Sequence, residues 1–244
     1  MELFSKNGII MGQIKHHGQH ERRYYMPLDE KHESFQLMLD SGVVAVIRTT
    51  SSDQLLQVAK AIQEGGVCCI EVAMNTPNAL KVIEDVAARL DGVLIGAGTV
   101  LDAETARAAI LAGAQFIVSP TLDFKVIEMA KRYGKIAVPG TFTPTEALRA
   151  WEAGADIVKI FPAARLGPRY LSDIKAPLPQ LRLMPTGGVD AENAADFIRA
   201  GADVICVGSA LIDKEAISNH HQFEILTEKA RRLIEAVKQG RGER

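Results

Sequence analysis

Ala153-Gly154-Ala155-Asp156-Ile157-Val158-Lys159-Ile160-Phe161-Pro162 is the stretch on which the fold turns. It reads as the last turn of a helix, a glycine that reverses the chain, and a short β-rich run ended by proline. The same junction recurs at Ala112-Gly113-Ala114 and at Ala200-Gly201-Ala202, each followed by another apolar run. A helix C-cap reused in this way marks a repeated helix-then-strand unit.

Working outward, short apolar runs occupy 43–47, 67–72, 93–97, 115–118, 136–138, 157–161, 182–184 and 204–207. Their starts lie 21–26 residues apart, which leaves room for one strand, one helix and two short loops. Ser52-Asp53 stands before a helical pattern over 54–64 that ends at Gly65-Gly66. Thr143-Pro144-Thr145-Glu146 opens another helix with a threonine cap and proline at its first position. Eight βα units predict an α/β fold, a (β/α)8 TIM barrel. A doubly wound open sheet is the competitor. The regular spacing and the lack of a G-x-G-x-x-G turn after the first strand favour the barrel. An extra N-terminal helix over 29–40 is expected to cover the bottom of the barrel. Residues 1–26 are polar and without sustained period, and read as a flexible N-terminal extension to a single domain over 27–244.

Composition narrows the function classes. The 244 residues hold 28 Lys and Arg against 30 Asp and Glu, a net charge of −2. That balance offers no electrostatic footprint for nucleic acid or an anionic membrane, so neither is an expected partner. No apolar stretch approaches the ~18–20 residues of a membrane span, and the N-terminus has no secretory signal pattern. Cys68, Cys69 and Cys206 lack metal-ligand spacing and read as reduced thiols of a cytoplasmic protein. All six histidines lie at the two ends, with none between Glu33 and Asn219. A site built from the middle of the chain therefore uses neither a Ser-His-Asp triad nor histidine-bound metal, and no metal or cofactor is expected.

The charges on the strands are the chemical signal. Asp156, Arg182 and Asp203 fall at strand beginnings, where polar groups serve stability. Arg48, Glu71 and Lys159 fall at strand ends, the face where barrel enzymes do chemistry, with Thr99, Ser119-Pro120, Thr141, Thr186 and Ser209 around them. Side chains alternate along a strand, so Lys159 shares a face with Ile157 and Phe161. If that face is inward, a desolvated amine gives up its proton more readily and can attack a ketone to form a Schiff base. The competing reading is a lysine snorkelling at the rim or paired to a carboxylate. Glu71 suits a general acid and base, against the alternative of a structural ion pair with Lys159 or Arg48. Pro185-Thr186-Gly187-Gly188 and Val207-Gly208-Ser209 follow strands seven and eight, where barrels often bind phosphate through backbone N–H groups. The alternative there is two tight turns with no ligand. Gly96-Ala97-Gly98-Thr99-Val100 is a further glycine-rich turn.

Together these stretches resemble the 2-keto-3-deoxy-6-phosphogluconate (KDPG) aldolase / 4-hydroxy-2-oxoglutarate (KHG) aldolase family of class I, Schiff-base aldolases. Val43-Val44-Ala45-Val46-Ile47-Arg48, Ile70-Glu71-Val72, Pro139-Gly140 and Lys159-Ile160-Phe161-Pro162-Ala163 carry the likeness with the turns above, over roughly residues 30 to 240. The resemblance implies Lys159 as the Schiff-base lysine and Glu71 as the acid/base. It implies Thr99 and Thr186 at the pyruvate portion, and Pro120 positioning water or substrate through its backbone. It places Gly187, Gly188, Gly208 and Ser209 at the phosphate of a phosphorylated keto-acid. A homotrimer is implied on the same ground. Some members carry Arg four residues after the glutamate, where this chain has Asn75; others carry one at the end of the first strand, as Arg48 does, which makes Arg48 the assigned anion contact, carboxylate or phosphate. Asn75 resembles the branch acting on the galactonate epimer, and Thr186 the gluconate branch. The rival readings are a metal-free sugar-phosphate isomerase or epimerase barrel and a non-catalytic phosphosugar-binding protein.

Overall fold

A computed structural model provides the fold; its described residues are 3–6, 9–12, 24–27, 30–49, 51–212 and 221–243. Strands β1 (Leu3–Lys6), β2 (Ile9–Gly12) and β3 (Tyr24–Pro27) pair antiparallel in that order. No sustained period announced them in 1–26, because four-residue strands are too short to show one; Ile9, Ile10, Tyr24 and Tyr25 supply the β-favouring residues. The other residues of 1–26 lie outside those described.

From residue 30 the units follow the expected order. They run α1 (Glu30–Ser41), β4 (Val43–Ile47), α2 (Ser52–Glu64), β5 (Cys69–Ala73), α3 (Ala79–Ala87) and β6 (Leu94–Gly98). The chain continues through α4 (Ala103–Leu111), β7 (Phe116–Val118), α5 (Phe124–Arg132), β8 (Ile136–Val138), β9 (Gly140–Thr141) and α6 (Pro144–Glu152). It ends with β10 (Val158–Ile160), α7 (Pro168–Lys175), β11 (Leu183–Pro185), α8 (Ala194–Arg199), β12 (Ile205–Val207) and α9 (His221–Arg241). The cap of α2 is Ser51, one residue before the expected Ser52-Asp53, with its side chain accepting from the Gln54 N–H at 3.2 Å. Thr143 and Glu146 form a capping box at α6. At the three Ala-Gly-Ala junctions the glycines have φ of 109°, 92° and 105°, the left-handed region that other residues avoid.

Two parallel sheets form. A curled six-stranded sheet has the order β12-β4-β5-β6-β7-β8, and a three-stranded one the order β11-β10-β9. The fifth expected run, 136–138, forms β8, and Pro139, which has no N–H to give to a ladder, separates it from the short β9. Backbone bonds nevertheless join both seams. Asp156 N donates to Ala137 O at 3.0 Å and Lys159 N to Pro139 O at 2.9 Å. At the other seam Asp203 N donates to Leu183 O at 3.0 Å, and Thr186 bridges Cys206.

Alternation along the strands sorts the core into two clusters. Val44, Val46, Phe116, Val118, Ile157 and Cys206 belong to one that lies within the curl of the sheets; Ala45, Ile47, Ile117, Val158 and Ile205 belong to the other, packed with the helices. Gly96 leaves the space that the Phe116 ring fills, since a Cβ there would overlap the ring. At the N-terminal ends of the strands α1 packs Phe35, Met38 and Leu39 onto the inner cluster. Asp156 pairs with Lys31 of α1 at 2.8 Å, Asp203 with Lys175 at 3.2 Å, and Arg182 stacks on the Phe35 ring at 5.1 Å. No helix among the described residues is long and apolar enough to cross a membrane.

Candidate active site

At the opposite end a cavity of about 250 Å³ opens over the inner cluster. Arg48, Glu71, Thr99, Pro120, Lys159 and Thr186 line it. So do Gly187, Gly188, Gly208 and Ser209, so that all ten residues singled out in the sequence meet in one place. Ser119 and Thr141, from the same ring of hydroxyls, are buried outside the lining; the Thr141 hydroxyl donates to Lys159 O at 3.1 Å.

Strand register explains the convergence. Lys159 lies opposite Gly140 on one side and Met184 on the other, and Glu71 opposite Val46 and Gly96. Ile157 belongs to the inner cluster, so the residue two positions on faces inward as well. Lys159 is 5% exposed and Glu71 2%. Among the described residues neither forms a salt bridge, nor does exposed Arg48. The structural ion pair weighed above therefore does not form. The Lys159 Nζ lies 5.1 Å from the centre of the Phe161 ring. Glu71 Oε2 accepts from the Cys206 Sγ at 3.6 Å. Burial first, and then the charge of Glu71, push the Cys206 thiol well above the ordinary thiol range, so the sulfur keeps its proton.

Two backbone features shape the wall. Thr99 has φ of 58°, a left-handed conformation that costs a β-branched residue ~1–3 kcal/mol and survives only where its surroundings impose it. Gly98 precedes it, and a Cβ there would overlap Glu71 Cγ, Cδ and Oε1; the carboxylate occupies the space that glycine leaves. On the far wall Gly187 and Gly188 have φ of 87° and 75°. Their turn is tied down: Asn193 Nδ2 donates to Gly188 O at 2.9 Å, and Asp190 Oδ1 accepts from the N–H groups of Glu192 and Asn193 at 3.0 Å each. Gly208 faces open space, with Val46 Cβ 3.9 Å from where a side chain would begin. Such a wall offers backbone N–H groups and a hydroxyl to an anion.

The cavity also takes in Val46, Phe161, Val189, Asp190 and Ala210, which sequence reasoning did not assign. Val46 and Phe161 carried a signal, each two residues from a named site residue on the same strand face. Asp190 carried none. Asn75 is exposed and outside the lining. Among the described residues no group of three or more His, Cys, Asp or Glu is placed to hold a metal ion.

The aldolase family described as KDPG and KHG aldolase matches residues 36–227, a span that contains every residue of this cavity. The chain belongs to that family. Among its KDPG/KHG aldolase relatives is the 2-dehydro-3-deoxy-6-phosphogalactonate aldolase of Escherichia coli strain K12, 39% identical over 171 residues, 69% of this chain and 82% of the relative. The 2-dehydro-3-deoxy-phosphogluconate aldolase of Treponema pallidum strain Nichols is 34% identical over 185 residues, 75% of this chain and 88% of the relative. A similar solved structure is the KDPG aldolase of Legionella pneumophila with pyruvate captured at low pH as a covalent carbinolamine intermediate. Its TM-score is 0.75 at 28% identity, over 82% of this chain and 97% of that one.

Proposed function

We propose that this chain is a class I aldolase, a lyase that cleaves 2-dehydro-3-deoxy-6-phosphogluconate to pyruvate and glyceraldehyde 3-phosphate, and 4-hydroxy-2-oxoglutarate to pyruvate and glyoxylate. The observation that carries this is a lysine and a glutamate, both buried and free of salt bridges among the described residues, lining one cavity in a chain of the KDPG/KHG family.

The neutral Lys159 amine attacks the C2 ketone, and the carbinolamine hydroxyl leaves as water with a proton from Glu71. The protonated imine is the electron sink. Glu71, directly or through a water, then takes the C4 hydroxyl proton. The C3–C4 electron pair moves toward the imine, releasing the aldehyde and leaving the enamine of pyruvate. Protonation at C3 and hydrolysis free pyruvate and the amine. Thr99 and Thr186 hold the pyruvate portion, with Pro120 as backbone support. Gly187, Gly188, Gly208 and Ser209 receive the phosphate, and Arg48 supplies the rim cation.

In this reading the two sheets close through their hydrogen-bonded seams into one (β/α)8 barrel over 27–244. The active form is a homotrimer in the cytoplasm. The 39% identity to the Escherichia coli relative favours a second reading of the substrate as the galactonate epimer. Comparison of kcat/KM for the two C4 epimers separates them.

Incubation with pyruvate and borohydride, followed by peptide mass spectrometry, tests the assignment. A reduced pyruvyl adduct on Lys159 is expected. Folded protein that yields none at neutral pH overturns the imine chemistry and favours the isomerase or epimerase.

A further inference from the structure

Glu71 has unusual surroundings for a carboxylate that must move protons. The hydrogen bond it receives among the described residues comes from the Cys206 thiol. The two residues are not on neighbouring strands: β4 lies between β5 and β12, so the contact crosses the inner face of the curled sheet. Register makes this possible. Cys206 is level with Val44, and Val44 with Cys69, two residues before Glu71 on the same strand face. A side chain rising from Cys206 therefore meets Glu71 from below. Gly98 bounds the same carboxylate from the β6 side.

Cys206 is wholly buried, so no reagent or partner reaches it from solvent. Its sulfur is a donor. Burial and the neighbouring carboxylate hold the proton on it against the opposing effects of Lys159 and of a hydrogen bond with Thr186. The thiol thus touches, on one side, the glutamate of the proposed proton transfers and, on the other, the threonine proposed to hold pyruvate.

We propose that Cys206 is a positioning residue for the aldolase reaction: its thiol donates to Glu71 Oε2 and, with Gly98 bounding Oε1 from the β6 side, fixes the pose of the carboxylate that moves protons. This inference rests on Glu71 being the acid/base of the proposed reaction. Lys159, Arg48 and Asp190 also face the cavity and Cys69 lies beneath it; all four are unchanged in the variants below.

The test compares wild type, Cys206→Ala, Cys206→Ser and Glu71→Gln in the full chain, with kcat, KM and thermal midpoints measured in parallel. In Cys206→Ala, kcat is expected to fall about three- to tenfold, which is what one modest hydrogen bond is worth. KM stays within twofold. Cys206→Ser retains a donor and is expected to recover most of the turnover. In a Glu71→Gln background, Cys206→Ala should have no further effect on kcat. An unmoved kcat in Cys206→Ala, with Glu71→Gln inactive, overturns the inference alone. Equal losses in the alanine and serine variants overturn it too, because shape rather than the donor would then matter. Wild-type turnover in Glu71→Gln removes the acid/base reading and this inference with it.

Discussion

Replacing Gly98 with alanine adds one methyl group to the volume that the Glu71 carboxylate occupies. Position 98 is not among the positive-φ glycines, so the backbone itself accepts alanine. The conflict is with Glu71 Cγ, Cδ and Oε1, the far end of a flexible side chain. Restoring ordinary van der Waals contact moves the carboxylate by about 1–2 Å, away from Cys206 or into the cavity. A displacement of ~1 Å at a reacting group costs ~10²-fold in rate, or ~2.7 kcal/mol of transition-state stabilisation. Stability should hardly change. Alanine narrows the unfolded ensemble by ~0.4–1 kcal/mol, and the strain of a rotated glutamate is of similar size. Gly98→Ala is therefore expected to lose about 10²-fold in kcat with a thermal midpoint within a few degrees of wild type. Steady-state kinetics on the phosphorylated substrate and calorimetry on the same preparation measure the two effects. A kcat within threefold of wild type refutes the reasoning, because Glu71 would then work from a different pose. A collapse of the midpoint with the activity refutes it as well, by making the glycine a matter of packing.

Lys159→Ala should abolish both turnover and the borohydride-trapped pyruvate adduct while circular dichroism stays native; retained activity above a few per cent sinks the Schiff-base assignment. Ser209→Ala should raise KM for the phosphorylated substrate several-fold and leave KM for 4-hydroxy-2-oxoglutarate almost unchanged; equal effects on both take Ser209 out of the phosphate site. Hydrogen bonds from the Phe142 N–H and then from Thr143 hold the Glu146 carboxyl below the usual carboxylate range. Its contribution to stability is thus present above the unfolded-state pKa and fades as pH falls through the lower folded-state value. Glu146→Gln should flatten the acid side of a plot of thermal midpoint against pH, and an unchanged slope there would count against the capping box as its source.

Much of the site was legible because two of its rules are local. Strand alternation put Lys159 on the face of Ile157, and the clustering of charges at strand ends separated Arg48, Glu71 and Lys159 from Asp156, Arg182 and Asp203. Capping chemistry located α6 for the same reason, since Thr143 and Glu146 interact across three residues. The break at Pro139 was also written locally, but its effect on the ladder between β8 and β9 depends on which strands stand beside it.

By itself the sequence determined which residues could share a face, where helices end and strands begin, and which chemistry the strand ends could carry. These depend on φ/ψ preference and on periods of 2 and 3.6 residues, which act within a few positions. Tertiary structure alone decided that Cys206 meets Glu71 across 135 residues of chain and an intervening strand. It alone decided that Gly98 is empty because a carboxylate fills the gap, and that Asp190 enters the cavity while Asn75 stays outside it. The physical reason is that curvature and register are properties of the assembled sheet: they follow from how all the strands stagger when the inner cluster packs, and no single segment encodes that stagger.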